Sequence, residues 1–234
     1  MQATRKWDEA LRVSESALEV FPKDFDLALL HVRSLNELGR YEDSIGIMDG
    51  IEVLPSEHSL EAHRLFSDAQ VMAGLAALER GEFEEADGHF LMAMTWPERL
   101  GQGRPYVPEE RLPRFLLAVS RGLSGDAVGA SRALTAVVDA TPDSVFGGET
   151  ASPLDLLGAL SLEALGREEE LRKFGDVRGG DMATIANQVR TSARTGTSVA
   201  LAVAAATKES DKIFDDVHER LIQRALRFAG RVVR

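Results

Sequence analysis

A six-residue pattern that begins with glycine occurs four times in this chain and limits what it can fold into. The copies start at Gly39, Gly81, Gly125 and Gly166, so they lie 42, 44 and 41 residues apart. Each copy separates two apolar stretches of helical period, as expected where a left-handed glycine ends one helix and a short turn begins the next. The pattern predicts repeated helical hairpins. Such hairpins bury their apolar faces only by stacking, which predicts an all-α solenoid.

The repeats resemble the tetratricopeptide (TPR) family, in which glycine and an aromatic residue mark the turn, alanine opens the second helix and proline closes the unit. One copy here has Gly81, Phe83 and Ala86 and closes at Pro97. The resemblance implies a TPR-like α-solenoid that binds other proteins. It covers residues 1–175, with a half-unit at 5–22, units at 25–55, 57–97, 112–142 and 152–175, and it leaves 176–234 as a C-terminal helical cap.

A second resemblance concerns the proline- and glycine-rich stretch from Trp96 to Pro105. This stretch is similar to a signature in the TPR tails of a bacterial family of unknown function, whose larger members carry a predicted carbohydrate-active β-sandwich. The present sequence has no β-rich region, so the resemblance implies only a scaffold or docking role. It leaves open an alternative function as an accessory domain of a carbohydrate-related enzyme system.

Composition argues against several functional classes. The net charge of −11 disfavours a nucleic-acid partner, because a phosphate backbone attracts a basic surface. The chain has no cysteine, which argues against disulfides and thiolate metal sites and favours a reducing compartment. The start of the chain lacks the apolar core of a signal peptide, and no apolar run is long enough to span a bilayer. We therefore expect a soluble, cytoplasmic protein without a membrane partner, and the second resemblance implies a bacterial origin.

No motif in the sequence indicates catalysis. The histidine pair His58 and His63 is five residues apart, whereas a helical zinc pair needs a spacing of four. The acidic pairs near Glu84 and Glu168 begin helices, where carboxylates complement the helix dipole. We therefore expect a non-enzymatic protein with no catalytic residues, cofactor or metal. A small-molecule or enzymatic pocket in the groove remains the other alternative.

The first helices of TPR hairpins line a concave groove, and their exposed positions here turn apolar along the chain. This groove is the predicted binding site for a protein or peptide partner, and it would be covered by a peptide, another subunit in a homodimer, or the C-terminal part of the chain. Core positions show the same spacing, which favours the third alternative. The predicted groove residues are Val71, Leu75, Leu78, Phe115, Val119 and Leu123, with Arg33 and Asn36 on its polar part.

The C-terminal region supplies a candidate cover, because residues 211–233 have the pattern of one strong amphipathic helix. Val217, Leu221, Ala225 and Phe228 form an apolar stripe, and arginines follow a separate face. A basic amphipathic helix can also bind membranes or nucleic acid, but the acidic remainder of the chain favours internal docking. We expect this helix to pack on the last hairpins and cap the open end of the solenoid.

Overall fold

The computed structural model describes residues 6–55, 59–141, 153–177 and 217–229, together with Thr191. All the regular secondary structure in these ranges is helical. The helices are α1 (Trp7–Val20), α2 (Phe25–Glu37), α3 (Tyr41–Gly50), α4 (Ser59–Arg80), α5 (Phe83–Ala93), α6 (Arg111–Ser124), α7 (Ala127–Asp139), α8 (Pro153–Ala164), α9 (Glu168–Val177) and α10 (Val217–Arg227), with a short 3-10 helix at Glu98–Leu100.

The four repeat glycines each end a helix in the left-handed conformation, as the sequence predicts. Their φ angles are 74° at Gly39, 80° at Gly81, 91° at Gly125 and 69° at Gly166. The residue after each glycine donates its backbone N–H to the carbonyl five residues earlier, at 2.8 to 3.0 Å. This is the Schellman motif, which satisfies carbonyls that the helix end would otherwise leave without a partner. The predicted hairpin turns are therefore confirmed.

The residue five positions after each glycine lies one turn inside the next helix. The backbone N–H of Ser44, Ala86, Ala130 and Leu171 each makes the first helical hydrogen bond, to the residue four positions earlier. All four side chains are buried. Small side chains at three of these positions let the second helix of a hairpin approach the first closely.

The helices pack in adjacent pairs along the chain, and each helix from α1 to α9 contacts the next one. In addition, α2 contacts α4, α4 contacts α6, and α6 contacts α8. We call these four helices the first-helix layer. Consecutive hairpins therefore stand beside one another with their first helices adjacent, and α10 returns to contact α4, α6 and α8.

Some predicted features lie outside the described residues. The beginning of the predicted unit at 57–97 is one of them, because α4 is described from Ser59. Much of the predicted cap at 176–234 also lies outside them, including the stretch from Ile185 to Lys208 apart from Thr191 and the arginines at 231 and 234. In the last predicted unit, at 152–175, α9 follows α8 as a second helix and buries Leu171.

Close helix contacts depend on small residues at specific positions. A Cβ atom added at Gly74 in α4 would lie 2.5 Å from the ring of Phe90 in α5, and Phe90 is completely buried. The ring therefore occupies the space that any side chain at Gly74 would need. Gly74 therefore lets α4 and α5 pack closely against each other.

The left-handed glycines can be tested with a matched pair on one hairpin. Gly81→Ala should lower the free energy of unfolding by about 1–2 kcal/mol, because alanine is strained at positive φ. Gly88→Ala in α5 should be neutral or raise it by up to about 1 kcal/mol, because glycine is a poor helix former. Neither added methyl group lies within 4 Å of another atom, so steric clashes do not contribute to the difference in unfolding free energy between the two variants. Urea denaturation measures both, and equal effects would contradict the turn assignment.

Candidate functional site

The predicted groove residues lie in the interior of the protein. Val71, Leu75 and Leu78 on α4, and Phe115 and Val119 on α6, are all exposed by 3% or less. Leu123 is half-buried and packs against the same apolar cluster. A separate partner could therefore reach these side chains only if whatever covers them moved away.

The helix α10 lies against α4, α6 and α8 of the first-helix layer. Its apolar residues share one cluster with Leu75 and Phe115. Two adjacent stripes of α10 are buried, which is more than a helix resting on a surface by one edge would bury. The buried residues of this segment are Leu221, Ile222, Ala225, Leu226, Phe228 and Ala229.

The expected packing of this helix on the last hairpins is confirmed by its contacts with α6 and α8, but α10 also contacts α4 of the hairpin before them. A cap on the last hairpin would cover the outer side of that hairpin, whereas α10 contacts α4, α6 and α8 from three successive hairpins. The physical reason is the amount of apolar surface. Each large apolar side chain that leaves water contributes about 1.5–3 kcal/mol. Contact with three adjacent helices buries two apolar stripes of α10, whereas contact with the end of one hairpin would bury one.

Two arginines on α10 form ion pairs with the ends of two first helices. Arg220 donates to the carboxylate of Glu37 on α2, and Arg224 Nη2 donates to Glu79 Oε1 on α4 at 2.9 Å. The Glu37 side chain is only 11% exposed, so this pair is partly shielded from water. By contrast, Arg227 on the same helix is exposed. The arginine face expected from the sequence therefore includes two residues that contact the acidic body.

Glu37 and Glu79 occupy the same position in two successive repeats. Each lies two residues before the glycine that ends its helix, at Gly39 and Gly81 respectively. Carbonyl groups at the carboxyl end of a helix add partial negative charge there, which favours a neighbouring cation. Sequence reasoning did not single out these acids as a pair. An alignment of the repeats on their glycines would have shown that the two acids occupy the same position.

Arg33 and Asn36, assigned from sequence to the polar part of the groove, have partners within the repeats. Asn36 is buried, its Nδ2 donates to Leu65 O at 3.0 Å, and its Oδ1 accepts from Ser44 Oγ at 2.6 Å. Arg33 is paired with Glu61 on α4. Asn36 therefore joins α2 to both α3 and α4 through hydrogen bonds in the protein interior.

The stretch from Trp96 to Pro105 is attached to the preceding hairpin. Arg99 Nε donates to Met48 O at 3.0 Å, and Val53 N–H donates to Arg99 O at 2.7 Å. Leu100 is completely buried, and a Cβ atom at Gly101 would lie 2.6 Å from Val53 O. The signature residues Arg99, Leu100 and Gly101 thus hold this loop against the end of α3. The loop also lies beside the first turns of α4, at the opposite end of that helix from Glu79.

Charged side chains join the amino-terminal ends of α6 and α8. Arg111 donates to Asp155 Oδ1 at 3.1 Å and to both oxygens of Glu109. Burial opposes the charge on Arg111, but the hydrogen bonds and charges of these two carboxylates raise its pKa overall. Asp155 is itself buried, so this pair depends on correct placement of the two helices.

The histidines whose side chains are described make contacts between elements. His31 Nδ1 lies 2.8 Å from Ser14 Oγ, and His89 Nδ1 lies 2.8 Å from Gln70 Oε1. The ring of His63 stacks on Trp96 with centroids 3.3 Å apart. Burial lowers the pKa of all three histidines below the ordinary value of 6.5. In the described part of the chain no group of three or more His, Cys, Asp or Glu residues could hold a metal ion.

A cavity of about 310 Å³ lies between α7, α8 and α9. Among the described residues, its polar lining consists of Thr141, Glu170 and Lys173. The Thr141 hydroxyl donates to Val137 O at 2.7 Å, while Glu170 pairs with Arg167 and Lys173 pairs with Glu169. Small-molecule sites usually present a few convergent polar groups, and these three side chains are each engaged locally.

No family model, curated protein or solved structure matches this chain. None of the helices in the described ranges is both long enough and apolar enough to cross a membrane. The TPR resemblance therefore rests on the repeat residues themselves.

The burial of the groove residues can be tested with two separate variants that place a carboxylate on the first or on the second helix of one hairpin. Leu75→Glu should unfold the protein or lower its stability by several kcal/mol, because an unpaired carboxylate would enter the apolar cluster that includes residues of α10. Leu91→Glu on α5 places the same charge on a side chain that is 46% exposed and should change stability by less than about 0.5 kcal/mol. Thermal unfolding distinguishes them. A folded, equally stable Leu75→Glu protein would contradict the assignment of this face to the interior.

The lowered histidine pKa values predict loss of stability in mildly acidic solution. Between the lowered pKa values and 6.5 the unfolded chain binds more protons than the folded chain, so stability falls as pH falls below about 6.5. The urea midpoint should therefore be lower at pH 5.5 than at pH 7.5. Replacing His31 and His89 by Gln should reduce this difference, because glutamine does not titrate. A midpoint that rises on acidification would show that the folded protein binds the extra protons.

Proposed function

We propose that this protein is a non-catalytic interaction module of TPR type, in which the first-helix layer forms a groove that binds an amphipathic helix. The observation that supports the proposal is the placement of α10. An amphipathic helix from this chain lies across α4, α6 and α8 and buries two apolar stripes there. The layer is therefore complementary to an amphipathic helix in shape and polarity, which is one of the recurring modes of peptide recognition.

In this proposal α10 occupies the groove when no partner is present, and a partner helix binds by displacing it. Such an arrangement keeps the apolar surface of α4, α6 and α8 out of water between binding events. Tethering gives a helix in the same chain an effective concentration on the order of millimolar. A free helix of equal intrinsic affinity at about 10 µM would then occupy only about 1% of the grooves, so a natural partner must bind more tightly or α10 must be weakened.

The carbohydrate-related alternative has less support. The residues behind that resemblance, Arg99, Leu100 and Gly101, are used to attach the loop to α3. An enzymatic pocket in the groove is also less well supported, because the predicted lining residues are apolar and buried. Cytoplasmic location and bacterial origin remain part of the proposal as expected from composition and resemblance.

Displacement of α10 can be measured by spin labelling, since the chain contains no cysteine of its own. Labels at Arg227→Cys on α10 and Glu84→Cys on α5 occupy exposed positions. Without peptide, the distance distribution between the labels should be narrow. A synthetic peptide with the sequence of residues 215–234, in millimolar excess, should add a longer and broader component as α10 leaves the groove.

A scrambled peptide of the same composition is the control and should leave the distribution unchanged. If α10 stays in place at every peptide concentration, in a protein that remains folded, the groove does not exchange its helix. The proposal would then fail, and α10 would be a permanent part of the core.

A further inference from the structure

The position of the two ion pairs at the edge of the first-helix layer suggests how a helix is selected there. Glu37 and Glu79 stand at equivalent repeat positions on α2 and α4, and their partners Arg220 and Arg224 stand four residues apart on α10. Residues four apart lie on the same face of a helix, roughly one turn apart. Two arginines one helical turn apart on the bound helix thus reach acids on two successive repeats of the layer.

We propose that Glu37 and Glu79 form a recognition pair that selects basic amphipathic helices with two cations four residues apart. The inference rests on the proposed function and names the chemistry of its partner. The preferred helix has apolar residues at the first and second positions after each cation, as Leu221 and Ile222 follow Arg220. Ala225 and Leu226 follow Arg224 in the same way.

Two observations on charge and one property of apolar contacts support this selection. The Glu37 side chain is 11% exposed, so a helix that offers it no cation leaves a poorly hydrated carboxylate unpaired. Both acids lie in the last turn of their helices, where the backbone carbonyls favour the same positive charge. The apolar interior of the layer supplies adhesion but not register, since apolar contacts are not directional.

Apolar contacts alone do not fix the position and direction of a helix on the layer. A helix with two adjacent apolar stripes can slide or reverse along an apolar surface at modest cost. Two ion pairs at a fixed spacing penalise both movements, because sliding by one residue turns the cations by about 100° away from the acids. Charge pairs in such positions contribute more to specificity than to affinity.

The first test measures specificity in trans with the full chain. The variant Arg220→Glu/Arg224→Glu weakens its own α10 and should bind the 215–234 peptide about tenfold more tightly than the unmodified protein does. A register-shifted peptide, in which residue 219 is exchanged with 220 and residue 223 with 224, keeps the composition and net charge. It should bind this variant about tenfold more weakly than the natural peptide. Fluorescence anisotropy of a labelled peptide measures both affinities.

The matched control is Arg227→Glu, which reverses an exposed charge on the same helix. Its affinity for the natural peptide should equal that of the unmodified protein, because Arg227 does not reach the acid pair. If the control gains affinity as much as the double variant, the effect is general charge repulsion and the recognition pair is overturned.

The second test does not require a peptide and remains valid if a double variant is unstable. Glu37→Arg/Glu79→Arg and Arg220→Glu/Arg224→Glu should each lower the melting temperature. The fourfold variant that combines them restores opposite charges across both contacts and should recover most of the loss. Absence of recovery would show that the acids and arginines do not act as pairs.

The outcomes separate the two proposals. Equal binding of the natural and register-shifted peptides would overturn the recognition pair and leave helix binding by the groove intact. No binding of either peptide to a folded double variant would overturn the proposed function itself. Preference for the natural peptide, together with recovery in the fourfold variant, supports both.

Discussion

The apolar surface shared by α4, α6 and α8 is the constraint on which the rest of this structure depends. Side-by-side packing of hairpins necessarily brings their first helices together, and in this chain those helices contribute Leu75, Phe115 and other large buried apolar residues to one cluster. Such a surface is unfavourable in water. The chain meets the constraint with α10, and the same surface is the basis of the proposed helix-binding groove.

The hairpins themselves are defined by short-range interactions. A left-handed glycine ends the first helix, the next residue closes a Schellman hydrogen bond, and a buried residue five positions later sets the contact of the second helix. These interactions involve neighbours in sequence and need no help from distant parts of the chain. The repeated units can therefore differ widely in composition and still form the same turn.

Polar side chains add specific alignment to this packing. Asn36 joins three helices through buried hydrogen bonds, and Arg111 joins the beginnings of α6 and α8. A buried polar group left without its partner costs about 1–3 kcal/mol, so displaced helices are penalised at these points. The pairs Glu37 with Arg220 and Glu79 with Arg224 extend the same principle to the placement of α10.

The repeat glycines, the helical hairpins and their approximate bounds could be predicted from the sequence, because turn chemistry and helical periodicity are encoded in adjacent residues. The buried stripe of α10 could also be predicted in part, since Leu221, Ala225 and Phe228 share one face. The sequence could not determine which surface this stripe would meet. Val71 and Leu78 have the spacing of core residues and of groove residues alike, and periodicity does not distinguish them.

Only the tertiary structure decided that α10 lies across three hairpins, and only it brought Arg220 to Glu37 across 183 positions of sequence. Contacts of this kind depend on how all the hairpins stack. This stacking results from many small packing preferences and cannot be predicted from any local sequence pattern. The sequence by itself determined where each helix stops, because a glycine at positive φ is a local property. The surface that each helix contacts was determined by the whole fold, because burial is a property of the assembled surface.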